Sequence, residues 1–159
     1  MNIHLELKPI RLKTPGMKGI RICIPELMPN GISFYCLGFL GSFFAASSFS
    51  SVKAVFGKSI AIKYLNRLKS RKAFGGKPDI ILYCSYIRSI DLRKRRLLGL
   101  ESLELRILSR DREEYVIGQA DLSSGYKDTI IAIENHLKKV CRLEEYDRKE
   151  NLIGDKGSL

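Results

Sequence analysis

The strictest pattern in this chain is an alternation of apolar and polar side chains over residues 102–108, which read SLELRIL. Every second residue is Leu or Ile, so the pattern predicts a strand with one buried face. Residues 115–122 resume the pattern after a polar turn at residues 111–114, and the two segments together predict a β-hairpin. Because hairpins join antiparallel strands, the chain is expected to fold around a largely antiparallel sheet.

Shorter segments predict the remaining strands. Residues 3–12 and 18–24 also alternate, and a turn containing Pro-Asn-Gly follows over residues 25–31. Residues 79–90 are rich in Ile and Tyr and predict one further strand.

Helical spacing of apolar residues predicts amphipathic helices over residues 52–69 and 128–146. Residues 32–46 are ambiguous, and we interpret them as a buried helix because Phe and Leu recur at helical spacing. The order of elements predicts an α+β fold, with a largely antiparallel β-sheet and the helices packed on one face. At 159 residues, one basic domain over 1–147 is expected, followed by a flexible polar tail over 148–159.

The segment from residue 27 to residue 52 carries no charge. A membrane-spanning helix needs about 20 mainly apolar residues, whereas the dense apolar part here covers only residues 32–46. Three interpretations stay open for it: a buried core element, a surface that dips into a bilayer interface, and a membrane span.

Charge is distributed unevenly along the chain. Residues 1–96 hold 18 basic and 4 acidic side chains, whereas residues 97–159 hold 10 basic and 13 acidic ones. No acid occurs between residues 27 and 78. Such an excess favours a polyanionic partner, either nucleic acid or an anionic membrane.

The candidate polyanion-binding residues, for membrane or RNA, lie on the predicted basic helix, in the glycine-containing loop after it and in the run RKRR. They are Lys53, Lys58, Lys63, Arg67, Lys69, Arg71, Lys72, Lys77, Arg93, Lys94, Arg95 and Arg96. Phe74 is the one large apolar residue of the loop, and we expect it to be exposed for membrane contact or self-association. The RKRR run also fits a nuclear-import signal.

Motifs of catalysis and metal binding do not occur in the sequence. It contains no GxGxxG, Walker A, HExxH or GxSxG pattern. We therefore expect no enzyme activity, no cofactor, no metal and no small-molecule substrate. Cys23, Cys36, Cys84 and Cys141 form no CxxC pair, and charges interrupt any export leader near the start, so the cysteines are expected to be buried, reduced packing residues of an intracellular protein.

Three blocks of this sequence resemble the matrix proteins of rhabdoviruses. They are GIRICIPELMPNGISFYCLGFL (residues 19–40), the basic helix with its glycine-containing loop (residues 51–78), and LLGLESLELRILSRDREEYVIGQADL (residues 97–122). From the first block to the last they span residues 19–122, about two-thirds of the chain. The absence of a PPxY or PTAP motif is a departure from animal-virus members and makes a short form, as in plant-infecting members, the better fit.

The resemblance implies a viral matrix protein that self-associates as a homo-oligomer. Such a protein bridges an anionic membrane surface and the viral ribonucleoprotein or RNA during virion assembly and budding. It would be found in the virion, in the host cytoplasm and at membranes, with the nucleus as an alternative. The other hypothesis is a basic RNA-binding protein, either ribosome-associated or a viral silencing suppressor.

Overall fold

A computed structural model describes residues 7–16, 20–38, 54–97, 99–120 and 124–143, with the backbone alone for residues 54–62, 64, 97, 124 and 125. Within these residues the elements are, in chain order, β1 Ile10–Lys13, β2 Arg21–Met28, β3 Gly31–Cys36, α1 Ala54–Ala73, β4 Ile80–Tyr83, β5 Ile87–Leu97, β6 Leu100–Ser109, β7 Glu114–Gln119 and α2 Ser124–Val140. The strands form one sheet in the order β4-β3-β2-β1-β7-β6-β5, and every neighbouring pair is antiparallel. The predicted α+β class with a largely antiparallel sheet is confirmed.

The sheet must be strongly curled, because its two outermost strands are joined by a short connection. β4 and β5 lie at opposite ends of the strand order, yet only residues 84–86 separate them. Six strand spacings in a flat sheet would cover about 29 Å, whereas this connection can reach only about 15 Å. The curl therefore gives the sheet a concave and a convex face.

The concave face wraps around α2. One cluster of buried side chains draws residues from all seven strands and from Ile130, Ile133 and Leu137 of α2, which are fully buried. The spacing of these three residues places them on one face of the helix. The His136 Nε2–H donates to the carbonyl oxygens of Met28 (2.7 Å) and Gly31 (3.1 Å), which ties α2 to the β2–β3 turn.

The predicted turn at Pro-Asn-Gly requires a glycine at position 31. Gly31 has a φ of +156°, and a Cβ there would lie 2.1 Å from the carbonyl oxygen of Leu82 on β4. A side chain at this position would therefore collide with backbone, so the close approach of β3 to β4 depends on the glycine.

α1 packs on the convex face. A separate cluster contains Leu68 of α1. It also contains Ile22 and Ile24 of β2, Tyr35 of β3, and Leu37 directly after β3. The two helices thus pack on opposite faces, and the prediction that they share one face is wrong in this respect. The reason is that β2 and β3 are apolar on both sides, so each side needs its own cover.

Residues 31–36 form a strand, so the predicted helix over 32–46 is wrong for this part, while residues 39–46 lie outside the described residues. Every residue of β3 is buried. α1 packs on one of its faces and the concave cluster on the other. A short apolar run that is buried on both sides does not show the alternation that identifies a strand. The helical spacing of its Phe and Leu residues therefore gave a wrong prediction.

Two further boundaries differ from the sequence prediction. Residues 79–90 form two strands, β4 and β5, separated by a turn, and RKRR belongs to β5. Pro25 lies within β2, at a point where β2 pairs with β3 but no longer with β1, so its missing N–H leaves no ladder bond unmade. The predicted start of the first strand at residues 3–6 and the tail over 148–159 lie outside the described residues.

All four cysteines are paired in disulfides, Cys23 with Cys36 and Cys84 with Cys141. The expectation of reduced packing residues is therefore wrong. Cys23 lies directly opposite Cys36 in the β2–β3 register, and Cys84 follows β4 while Cys141 follows α2. Pairing of this kind depends on strand register and tertiary contact, which the spacing of cysteines in the sequence does not reveal.

Candidate functional site

The structure divides the predicted polyanion-binding residues between two regions. Residues Lys63 to Lys72 of the set lie on α1, and Lys77 lies in the loop that follows it. Arg93 to Arg96 lie on β5. Lys53 is outside the described residues, and only the backbone of Lys58 is described.

A glycine-dependent cap ends α1 and determines where Phe74 is placed. The N–H of Gly76 donates to the Arg71 carbonyl (2.8 Å) and the N–H of Gly75 to the Lys72 carbonyl (3.3 Å), the two hydrogen bonds of a Schellman motif. Gly75 has a φ of +75°, and a Cβ on Gly76 would lie 2.7 Å from the Arg71 carbonyl oxygen. Two glycines are therefore needed here, and they leave Phe74 as the last residue of the helical turn.

The Phe74 side chain is 90% exposed, as the sequence suggested. Its N–H still donates to the Ser70 carbonyl (3.0 Å), so it continues the helical stripe of Lys63 and Arg67. The stripe is about 16 Å long, and the exposed Lys77 follows in the loop. We refer to Lys63, Arg67, Phe74 and Lys77 as the Phe74 corner.

The cations of the Phe74 corner are not ion-paired within the part of the chain that the structure describes. Lys63, Arg67 and Lys77 make no ion pair with any residue that the structure describes. Asp79, the one acid between residues 27 and 90, is engaged elsewhere. Its carboxylate accepts from the Arg71 guanidinium and from the Cys36 N–H (2.7 Å). Within the described residues, therefore, no ion pair offsets the charge of the corner.

Arg71 has a structural role at the base of the corner. Its guanidinium lies 5.7 Å from the centroid of the Tyr35 ring while it binds Asp79. Burial, and then a hydrogen bond with Glu26, raises the pKa of the Tyr35 hydroxyl above its usual value. Arg71 thus anchors the end of α1 to β3 and the loop, which fixes the orientation of the exposed stripe.

Three of the four arginines of β5 are paired with acids. Arg93 binds Asp91 (2.6 Å), Arg95 binds Glu104 (3.0 Å) and Arg96 binds Glu101 (3.0 Å). The β5–β6 register accounts for two of these pairs, because it places residue 96 opposite residue 101 and residue 95 diagonally across from residue 104, whereas the Arg93–Asp91 pair lies within β5. The hydrogen bond to Arg96 lowers the pKa of the Glu101 carboxyl, and the bond to Asp91 raises the pKa of Arg93.

Glu104 is the centre of the charge network on this part of the convex face. Its carboxylate also lies 3.3 Å from Arg106, which in turn binds Glu114 on β7 (3.1 Å). Sequence reasoning did not find these acidic partners. The alternation of β6 could have indicated them, since it places Glu104 and Arg106 on the same face.

Comparisons with known proteins identify no relative. No known family model matches the chain, and no curated protein matches it. The likeness to rhabdovirus matrix proteins therefore stays a prediction. Neither helix in the described part of the chain has both the length and the apolar character that a bilayer span requires.

Proposed function

We propose that this protein is a matrix-like structural protein without enzyme activity, which binds anionic membrane surfaces through the Phe74 corner and self-associates during virion assembly. The observation that carries the proposal is the 90% exposed Phe74 on the same surface as three cations that make no ion pair with any described residue. The blocks that resemble rhabdovirus matrix proteins supply the biological context, including the ribonucleoprotein as second partner.

The physical basis is the combination of charge and apolar insertion. A Lys or Arg near an anionic bilayer contributes on the order of 1 kcal/mol, and burying a Phe side chain contributes about 1.5–3 kcal/mol. Neither contribution alone gives stable attachment, but membrane-surface segments use both together. The corner presents both on one rigid helix end.

Nucleic-acid binding is the alternative that the same cations support. The exposed Phe74 favours the membrane, because a large apolar side chain at a protruding corner gains most by leaving water for a bilayer interface. A ring can also stack on unpaired bases. RNA binding that displaces vesicle binding is therefore one outcome of the experiment below.

The disulfides bear on where the protein would act. Disulfides persist in oxidising environments, including virions and cell surfaces, and are reduced in the cytosol. The proposal therefore assigns the complete, oxidised fold to the assembled particle, and assigns a reduced form to the host cytoplasm before assembly.

Flotation with vesicles of phosphatidylserine and phosphatidylcholine tests the proposal. We expect the full, oxidised chain to float with these vesicles at low salt, and Phe74→Ala to weaken binding roughly tenfold or more. Ile131→Ala, which removes a partly exposed apolar side chain of α2 far from the corner, is the matched control.

Both substitutions are expected to leave the fold unchanged. Urea denaturation of each variant, measured alongside, checks this. Equal binding by Phe74→Ala and the unmodified chain would remove Phe74 from the site. If the chain fails to float but binds single-stranded RNA, the RNA-binding alternative replaces the membrane proposal.

A further inference from the structure

The two disulfides have different surroundings in the fold. Cys23 and Cys36 are 0% and 4% exposed, and Cys23 lies on β2 between its neighbours β1 and β3. Cys84 and Cys141 are both half-buried and lie outside the regular elements, directly after β4 and directly after α2. The Cys84–Cys141 bond is therefore closer to solvent than the Cys23–Cys36 bond.

The buried bond is enclosed by packing on the concave face. Cys23 and Cys36 both belong to the cluster of side chains that the sheet and α2 bury between them. A thiolate can reduce a disulfide only if it can reach one of the two sulfur atoms. Here such a path opens only when α2 or a strand comes away, and an opening of that size costs a large part of the free energy of unfolding.

The half-buried bond lies where local opening costs little. Cys141 follows the last residue of α2, and its N–H donates to the Leu137 carbonyl (3.0 Å), which is a hydrogen bond of the helix end. The next residue, Arg142, is exposed and has a φ of +49°, so the helix does not continue. Because helix ends and turns open at a small free-energy cost, a soluble thiol can reach this bond without unfolding the sheet.

We propose that the Cys84–Cys141 disulfide is the site at which this protein reacts with small cellular thiols such as glutathione, while the Cys23–Cys36 disulfide is retained. A glutathione thiolate attacks one sulfur of the pair and forms a mixed disulfide, and the other cysteine leaves as a thiolate that takes a proton from water. A second glutathione thiolate displaces the remaining protein sulfur, which gives oxidised glutathione and the second thiol. Two electrons thus pass from two glutathione molecules to the two cysteines.

This exchange releases the end of α2 and leaves the anchor of α1 in place. Cys84–Cys141 is the covalent link between the end of α2 and the β4–β5 turn. The Cys36 N–H, by contrast, donates to the Asp79 carboxylate that binds Arg71, so the buried bond lies next to the anchor of α1. The assignment of the half-reduced form to the host cytoplasm rests on the proposed function, whereas the difference between the two bonds does not.

Timed alkylation of the full, oxidised chain tests the assignment. The chain is incubated with millimolar reduced glutathione, samples are quenched with N-ethylmaleimide, and peptide mass spectrometry identifies the modification at each cysteine. We expect Cys84 and Cys141 to be modified roughly tenfold faster, or more, than Cys23 and Cys36, because only the first pair is reached by local opening. A glutathione adduct on Cys84 or Cys141 should be the intermediate.

The same reaction in a denaturing concentration of urea is the control, because an unfolded chain exposes both bonds and the two pairs should then react at similar rates. Similar rates in the folded chain, or faster reaction at Cys23 and Cys36, would overturn the proposal. Absence of reaction at all four cysteines of the folded chain would overturn it as well. None of these results depends on vesicle binding, so the failure of the proposed function is a separate outcome.

The double variant Cys84→Ser, Cys141→Ser represents the half-reduced form. The bond joins residues that are 57 apart in sequence, so its loss should lower the melting temperature by about 10 °C while unfolding stays cooperative. The Cys23–Cys36 bond of this variant should still resist glutathione. If the variant is unfolded, or if this bond is reduced as fast as Cys84–Cys141 is in the unmodified chain, the two bonds do not open separately and the proposal is overturned.

Discussion

The Phe74 corner and β5 are both basic, but their cations have opposite surroundings in the fold. In β5, three arginines bind carboxylates of β5 and β6 at 2.6–3.0 Å. At the Phe74 corner, three cations have no such partner, and a phenyl ring extends beside them. The difference arises from neighbours in space, since β6 brings Glu101 and Glu104 beside β5, whereas the cations of the corner have no ion-pair partner among the described residues.

The number of basic residues in a segment is therefore a poor guide to whether the segment forms a binding surface. An ion-paired arginine has already exchanged its water for a carboxylate, and a phosphate would have to compete for it. An unpaired cation keeps its full attraction for a polyanion. We therefore expect the corner to dominate any interaction with an anionic surface.

The largest effect should come from removing equal charge from the two regions. Lys63→Gln with Arg67→Gln should weaken binding to phosphatidylserine vesicles roughly 30-fold, at about 1 kcal/mol per cation. The matched pair Arg93→Gln with Arg95→Gln should have a much smaller effect, because both arginines are paired. Vesicle flotation at several salt concentrations measures both, and equal losses would break the distinction between the two regions.

A smaller effect is expected when the network on β5 is opened. Glu104→Gln leaves Arg95 and Arg106 without their shared carboxylate, whose side chain is only 17% exposed. We expect the free energy of unfolding to fall by about 1.5 kcal/mol, while affinity for anionic vesicles rises because Arg95 loses its carboxylate partner; Arg106 keeps its ion pair with Glu114. Urea denaturation and flotation measure the two changes.

Glu101→Gln is the control for that variant, because it opens the exposed Arg96 pair and should leave stability unchanged. If Glu104→Gln is as stable as the unmodified chain, the network contributes nothing to the fold. If the vesicle affinity of Glu104→Gln does not rise, the released Arg95 does not bind anionic membrane.

The smallest effect is expected from the ionisation of Tyr115 on β7. Burial first, and then the neighbouring Tyr86, raise the pKa of Tyr115 from 10.0 to about 12. A raised folded-state pKa means that the stability from neutral Tyr115 is present below pH 10 and is lost as the pH rises toward 12. In thermal melts across this range the unmodified chain should lose stability relative to Tyr115→Phe, because only the tyrosine can ionise and its burial disfavours the phenolate; parallel curves would contradict the shift.

The sequence predicted the parts of the fold that follow from local pattern. Alternation located the β6–β7 hairpin, and helical spacing located both helices to within a few residues. It failed for β3, because a strand buried on both faces loses the alternation on which the method depends. It also assigned residues 79–90 to one strand, because the turn at residues 84–86 contains no glycine or proline.

The candidate site was predicted only in part. Phe74 was expected to be exposed because it is an isolated apolar residue in a loop with two glycines, and the structure places it so. The pairing of RKRR could not be predicted, because the acids that bind Arg95 and Arg96 come from β6 and depend on the β5–β6 register.

The position of β5 in the sheet has a consequence of a different kind. β5 has 11 residues and, among the described strands, pairs only with β6, so its other side presents unpaired backbone N–H and C=O groups. Long exposed edges of this kind nucleate intermolecular sheets, and charged side chains are a common protection against it. Four consecutive basic residues at the end of β5 repel the same strand of a second molecule. RKRR thus has a use that needs no ligand: its charge, although partly offset by the three ion pairs, disfavours pairing of β5 with the same strand of a second copy.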